Sequence, residues 1–211
     1  DVYFLQNRGL DVLATSISDE TLSEANKLGY IKKFKAINAE KIAENDGSFD
    51  FVFCKEAYHH CPRPPVAFYE MLRVSKMGVI LIEPQESGLR LLDFFKKIIK
   101  RHLRKDSSFY FETSGNYIFR INIKEITKMM MALNLRCFVY NGFNDFFFQA
   151  FSFKSSKRFG RAKIMTLVGI AVQNLLCRLN LLDYGLAVVI IFKNDVNEEL
   201  LSKLSRKGYT I

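Results

Sequence analysis

Apolar positions in this chain fall into short, nearly continuous runs alternating with longer stretches at helical spacing. Leu10 to Ile17 (LDVLATSI) reads as a strand, Asp19 to Leu28 (DETLSEANKL) as a helix with Ser18 as its N-cap, and Phe34 to Ile37 as the next strand. Phe49 to Cys54 (FDFVFC) is opened by a Gly47-Ser48 turn and is apolar almost throughout, as a central parallel strand must be when helices cover both its faces. Pro62, Pro64 and Pro65 bar an immediate helix. Val66, Tyr69, Leu72 and Arg73-Val74 then recur at helical spacing until Gly78 stops the run, and Val79 to Ile82 is the next buried strand. Strand, helix and strand, twice over, predict two right-handed βαβ units.

On either side of this block the pattern continues. Val2 to Asn7, stopped by Arg8-Gly9, reads as the tail of a helix. Asn122 to Leu133 predicts a helix, Leu135 to Asn141 a strand, Lys163 to Leu182 a helix, Leu186 to Lys193 a last strand and Asn197 to Gly208 a short charged helix. Residues 86–119 and 142–184 are then cap or insertion segments. The phenylalanine-rich stretch 143–153 and Met129, Met130 and Met131 read mainly as core or lid packing.

Composition narrows the class. A length of 211 residues with 49% hydrophobic side chains suits one α/β domain with an appendage. Cys54, Cys61, Cys137 and Cys177 have irregular spacing that sets no disulfide framework, so a reducing, cytoplasmic setting is the expectation. Cys54, His59, His60 and Cys61 do not form a metal motif, because Cys54 falls within a strand and no second ligand pair has zinc-like spacing. No apolar span reaches the roughly 18 to 20 residues needed to cross a bilayer.

The net charge of +9 is concentrated in two places. Residues 90–105 carry seven Lys/Arg against one Asp, and 154–163 carry five against none, leaving the remainder slightly acidic. In 90–105, Leu91, Leu92, Phe95, Ile98, Ile99 and Leu103 share a helical stripe, with the cations on the other side. Three readings fit: a cap helix with a solvated basic face, a membrane-surface helix making peripheral membrane contact, and a nucleic-acid contact. No recognised nucleic-acid module supports the third.

The polar run Lys55, Glu56, Tyr58, His59 and His60 follows FDFVFC at the end of the sheet where open α/β folds bind ligands. The order FDFVFC, KEAYHH, a helix ending MLRVSKMG and the strand VILIEP resembles the second half of a class I S-adenosyl-L-methionine (SAM) dependent methyltransferase, of the type 11-like domain. The resemblance is close over about residues 2–84 and topological over 117–193. It implies an α/β fold with a doubly wound Rossmann-like sheet, mostly parallel with an antiparallel last strand. No G-x-G-x-x-G or G-x-G pattern lies upstream, so an N-terminally truncated domain is expected, lacking the first strand and glycine loop.

The same resemblance implies roles residue by residue. Ser16 stands where the family has an acid holding the ribose hydroxyls, and a hydroxyl lacks the bidentate acceptor geometry of a carboxylate. Ile17 would pack on the adenine face. Asn38-Ala39-Glu40 matches the stretch that reads the adenine edge, with Asn38 keeping an acceptor oxygen in place of the acid. Lys55 and Glu56 correspond to the turn flanking the methionine part of the cofactor. Tyr58-His59-His60 matches a frequent Leu-His-His, and His59 or His60 is the candidate base, with Glu83 as a candidate for orienting substrate. The implied activity is methyl transfer to a small-molecule or lipid-linked acceptor, with oxygen favoured. The rival is a binding or scaffold protein of the same fold that has lost SAM affinity. A nicotinamide-dependent enzyme fits the Tyr-His-His turn poorly.

Overall fold

The computed structural model describes residues 1–86, 117–145 and 161–211. The basic stretch 90–105 and most of the phenylalanine-rich stretch lie outside the described residues. Helix α1 (Val2–Gln6) leads to strand β1 (Leu13–Ser16), helix α2 (Asp19–Lys27) and strand β2 (Lys33–Ala36). Strand β3 (Phe49–Lys55), a 3-10 turn (Tyr58–His60), helix α3 (Pro64–Val74) and strand β4 (Ser75–Pro84) follow. The later elements are α4 (Ile123–Ala132), β5 (Cys137–Phe143), α5 (Arg161–Arg178), β6 (Leu186–Phe192) and α6 (Glu198–Arg206).

Both expected βαβ units form with parallel strands, β1 beside β2 and β3 beside β4. Among the described residues the strands make two ladders, β1-β2 and β3-β4-β6-β5. Within the larger ladder β6 is antiparallel to both neighbours, as the expected antiparallel last strand requires. Among the described residues one edge of β3 has no partner strand. The expectation that helices cover both faces of β3 is corrected accordingly: Phe49, Phe51 and Val52 are only half-buried and Phe53 is exposed, while Cys54 is buried.

Each ladder has its own core. Ala14, Leu22 and Ile31 form a small cluster, and Ala67, Phe68, Met71 and Leu72 of α3 join Val79, Leu81, Ile126, Met130, Val189 and Ile191 in the main one. Met130 is buried, Met129 packs against the main cluster and Met131 is exposed, as the helical period of α4 dictates.

Residues 38–46 strap the two parts together, with Ala39 and Ile42 packing on the main core. Glu70 accepts the Ile42 N–H at 2.9 Å, and the Arg73 guanidinium donates to the Ile42 and Glu44 carbonyls at 2.7 and 2.9 Å and to Asp46 at 2.7 Å. Arg73 also forks onto Glu70, and the hydrogen bonds it donates to Glu70 and Asp46 push its already high pKa further up.

Two boundaries differ from expectation for identifiable reasons. Helix α3 starts on Pro64 and Pro65, where a missing N–H costs nothing, and ends at Val74. Gly78 does not stop a helix; it lies within β4, where an added Cβ would come 2.0 Å from the Ile191 carbonyl oxygen. Ser18 occupies the N-cap of α2 but its side chain makes no capping bond, and Asp19 and Glu20 in the first turn face the positive end of the helix dipole.

Candidate active site

The carboxyl ends of β3 and β4 lie side by side, with Cys54 opposite Leu81 and Lys55 opposite Ile82. One residue on, Glu56 adopts φ 49°, and its N–H still reaches the Ile82 carbonyl at 2.9 Å, so the chain turns sharply without leaving the ladder. The turn then folds around the side chain of Glu83, which is 0% exposed. Oε1 of Glu83 accepts the N–H groups of Ala57 and Tyr58, each at 3.0 Å, and the Cys54 thiol at 3.6 Å. Oε2 lies 2.6 Å from Nδ1 of His59, whose ring is also buried.

Burying a carboxylate is costly unless donors replace its water, and four do so here. Burial first, and the charge of Glu83 second, push the Cys54 thiol well up, which makes it a donor and not a nucleophile. Burial likewise raises the Tyr58 hydroxyl and the Cys61 thiol. The contact turns Nδ1 of His59 to the Glu83 carboxylate, so Nε2 is the ring nitrogen that this pair leaves for another partner. The exposed His60 ring lies against His59 with centroids 4.0 Å apart.

Segment 117–121 runs over this turn. The Phe119 N–H donates to the His59 carbonyl at 3.0 Å, and the Ile121 N–H to the Pro84 carbonyl at 2.8 Å. Beside it, at the carboxyl end of β4, a cleft of about 220 Å³ is lined by Gln85, Glu86, Ile121, Asn122, Lys124 and Asp183. Another cleft, of about 230 Å³, is lined by Asn134, Arg136, Cys137 and 192–195 at the opposite end of β6, away from Glu83.

Residues 2–82 match the family model of a methyltransferase domain. The chain folds as a class I methyltransferase. A SAM-dependent methyltransferase of Methanosarcina mazei superposes with a TM-score of 0.54 at 17% identity, covering 90% of this chain and 85% of that one. A SAM-dependent methyltransferase of Archaeoglobus fulgidus gives 0.54 at 11% identity, covering 90% and 79%. A putative methyltransferase of Haloferax volcanii, solved in complex with the Trm112 methyltransferase activator, gives 0.50 at 13%, covering 87% and 72%. At these identities the likeness is one of fold. Among curated proteins none matches the sequence.

The cofactor of such a methyltransferase domain is S-adenosyl-L-methionine. The residues expected at its adenosine half stand at the ends of β1 and β2. Ile17, at the end of β1, is 75% exposed, an apolar plate next to the half-buried Ser16. The Ile37 N–H donates to the Ser16 carbonyl at 2.8 Å, which holds the ends of β1 and β2 together and sets Asn38 next to them in sequence. The Asn38 side-chain oxygen, the expected acceptor, already accepts the Glu40 N–H at 2.9 Å. Ala39 packs against the main core.

Other expected cofactor residues have protein partners. Both Glu40 carboxylate oxygens are taken by Arg63 at the N-terminus of α3, at 2.5 Å from its backbone N–H and 2.8 Å from Nε. Burial works to raise the Glu40 carboxyl, but the hydrogen bonds and charge of Arg63 outweigh it and hold it below the usual range. Glu40 therefore fastens the strap to α3. Lys55 pairs with Asp1 at 3.3 Å, and Glu56 is an exposed turn residue. The Glu70–Arg73 clamp was not read from the sequence; its signal is an acid and an arginine at i and i+3 on one helix face.

Proposed function

We propose that this protein transfers a methyl group from SAM to a hydroxyl oxygen of a small-molecule or lipid-linked acceptor, with His59 as the general base and Glu83 as its positioning residue. The observation that carries this reading is the 2.6 Å contact between His59 Nδ1 and the fully buried Glu83 carboxylate at the carboxyl end of β3 and β4. Glu83 fixes the tautomer and orientation of the ring, so Nε2 is the atom that takes the acceptor proton. The cleft bounded by Gln85, Ile121 and Asp183 is the acceptor side. Ile17, Ser16 and Asn38 would hold the adenosine half of the cofactor. SAM, when bound, supplies a methyl already activated by its sulfonium, so the chain needs chiefly to align the acceptor and exclude water.

A scaffold that has lost catalysis is the second reading, favoured by Ser16 in place of a carboxylate and by the prior engagement of the Asn38 oxygen with the Glu40 N–H. Titration calorimetry of the intact protein with SAM separates the two. Micromolar binding, together with release of S-adenosylhomocysteine in the presence of hydroxylated acceptors, supports the enzyme. No heat at millimolar SAM overturns it in favour of the scaffold.

A further inference from the structure

We propose that Cys54 is a positioning residue of the candidate active site, its thiol tying the Glu83 carboxylate to β3 so that Oε2 stays against His59. The role rests on the reading of His59 as base and extends it by one residue. Cys54 stands opposite Leu81 in the β3–β4 ladder, and Glu83 lies two residues beyond Leu81, so the two side chains leave the same face of the sheet as diagonal neighbours. Both are buried, and Sγ of Cys54 donates to Oε1 of Glu83 at 3.6 Å. Burial, with the Glu83 charge behind it, keeps the thiol protonated, so it meets the carboxylate as S–H.

The donors divide unequally between the two oxygens. Oε1 accepts the Ala57 and Tyr58 amides and the Cys54 thiol, whereas Oε2 faces Nδ1 of His59. A rotation of the carboxyl group that carried Oε2 away from His59 would also pull Oε1 from these donors. Ala57 and Tyr58 belong to the turn that carries His59, and a shift of that turn takes their amides with it. Cys54 is different. It sits within β3 and is in register with β4, so its thiol refers the carboxylate to the ladder and not to the turn. A buried strand position facing only apolar neighbours is filled as well by alanine or valine; a donor is needed where the neighbour is a carboxylate.

Two variants of the intact protein test the proposal. Cys54→Ala removes the donor, and Cys54→Ser keeps one at nearly the same volume. Nuclear magnetic resonance of the His59 imidazole, identified by its loss in His59→Asn, reads the contact with no acceptor present. The ring signals of Cys54→Ser should stay close to those of the wild type, and those of Cys54→Ala should shift and broaden as the ring and carboxylate lose their fixed geometry. In methyl transfer to hydroxylated acceptors, kcat of Cys54→Ala should fall about tenfold with KM for SAM nearly unchanged, and serine should restore it. Should Cys54→Ala lose its fold, Cys54→Val, which fills the position without a donor, takes its place in both measurements. Identical His59 signals in all the proteins overturn the proposal. Equal changes in the alanine and serine variants also overturn it, since they assign Cys54 to packing alone. His59 signals that move with alanine and return with serine, in a protein that methylates no hydroxyl, uphold the positioning contact and overturn the reading of His59 as base instead.

Discussion

His59 Nδ1 and Glu83 Oε2 lie 2.6 Å apart, and the same carboxylate ties down the Ala57 and Tyr58 amides through its other oxygen. Orientation of the ring and shape of the turn therefore depend on one side chain. Glu83→Gln keeps the volume but sets an NH2 group against a buried donor. It should cost about 1–3 kcal/mol in urea denaturation. On the reading of His59 as base, His59→Asn should lower methyl transfer by about 10²- to 10⁴-fold while SAM affinity in calorimetry changes little. An unaltered turnover would remove His59 from that role.

Glycines 78 and 142 should respond unequally to alanine. At Gly78 the new Cβ meets the Ile191 carbonyl oxygen at 2.0 Å, a backbone atom in the neighbouring strand. Gly78→Ala should destabilise by about 3 kcal/mol or more. At Gly142 the nearest atoms belong to the Tyr184 side chain, at 2.6 to 2.8 Å, and this loop residue can shift. A smaller loss of thermal midpoint is expected there, and the reverse order would contradict the packing described for β4 and β6.

Acid should loosen the strap. The hydrogen bonds from Arg73, with smaller help from the Ile42 N–H and the Arg73 charge, outweigh burial and hold the Glu70 carboxyl below the usual carboxylate range. A depressed folded-state pKa gives stability that is fully present above the unfolded value, about 4.3, and is lost as pH falls through the folded one. Glu70→Gln should flatten stability against pH below about 4.3 and leave its slope at neutral pH unchanged. The side chain is 23% exposed, so solvent screening keeps the effect modest. Denaturant midpoints across that range check it.

Helix α6 offers a local control. The Asn197 side chain accepts the Leu200 N–H at 2.8 Å, a complete N-cap at an exposed site. Asn197→Ala should cost about 1 kcal/mol without affecting SAM binding. A change in SAM affinity from this variant would mean that α6 reaches the site.

Most elements were legible because their apolar runs are local, and the two βαβ units follow directly from the spacing. What escaped was set by contacts distant in sequence. Gly78 read as a helix stop because nothing near it announces the Ile191 carbonyl. Glu83 and His59 were separate candidates, and only parallel pairing of β3 with β4 brings them together. Glu40 carried a cofactor role by resemblance, whereas a carboxylate before the proline-led start of α3 is also a natural partner for that helix N-terminus.

The strap through Arg73 joins the half of the molecule that carries Ile17 and Asn38 to the half that carries His59. Its side chain is 31% exposed, so ions compete for it more readily than for the buried ladder bonds. On the proposed reading, alignment of donor and acceptor should therefore soften before the fold melts, and rising ionic strength would erode catalytic efficiency while circular dichroism stays constant.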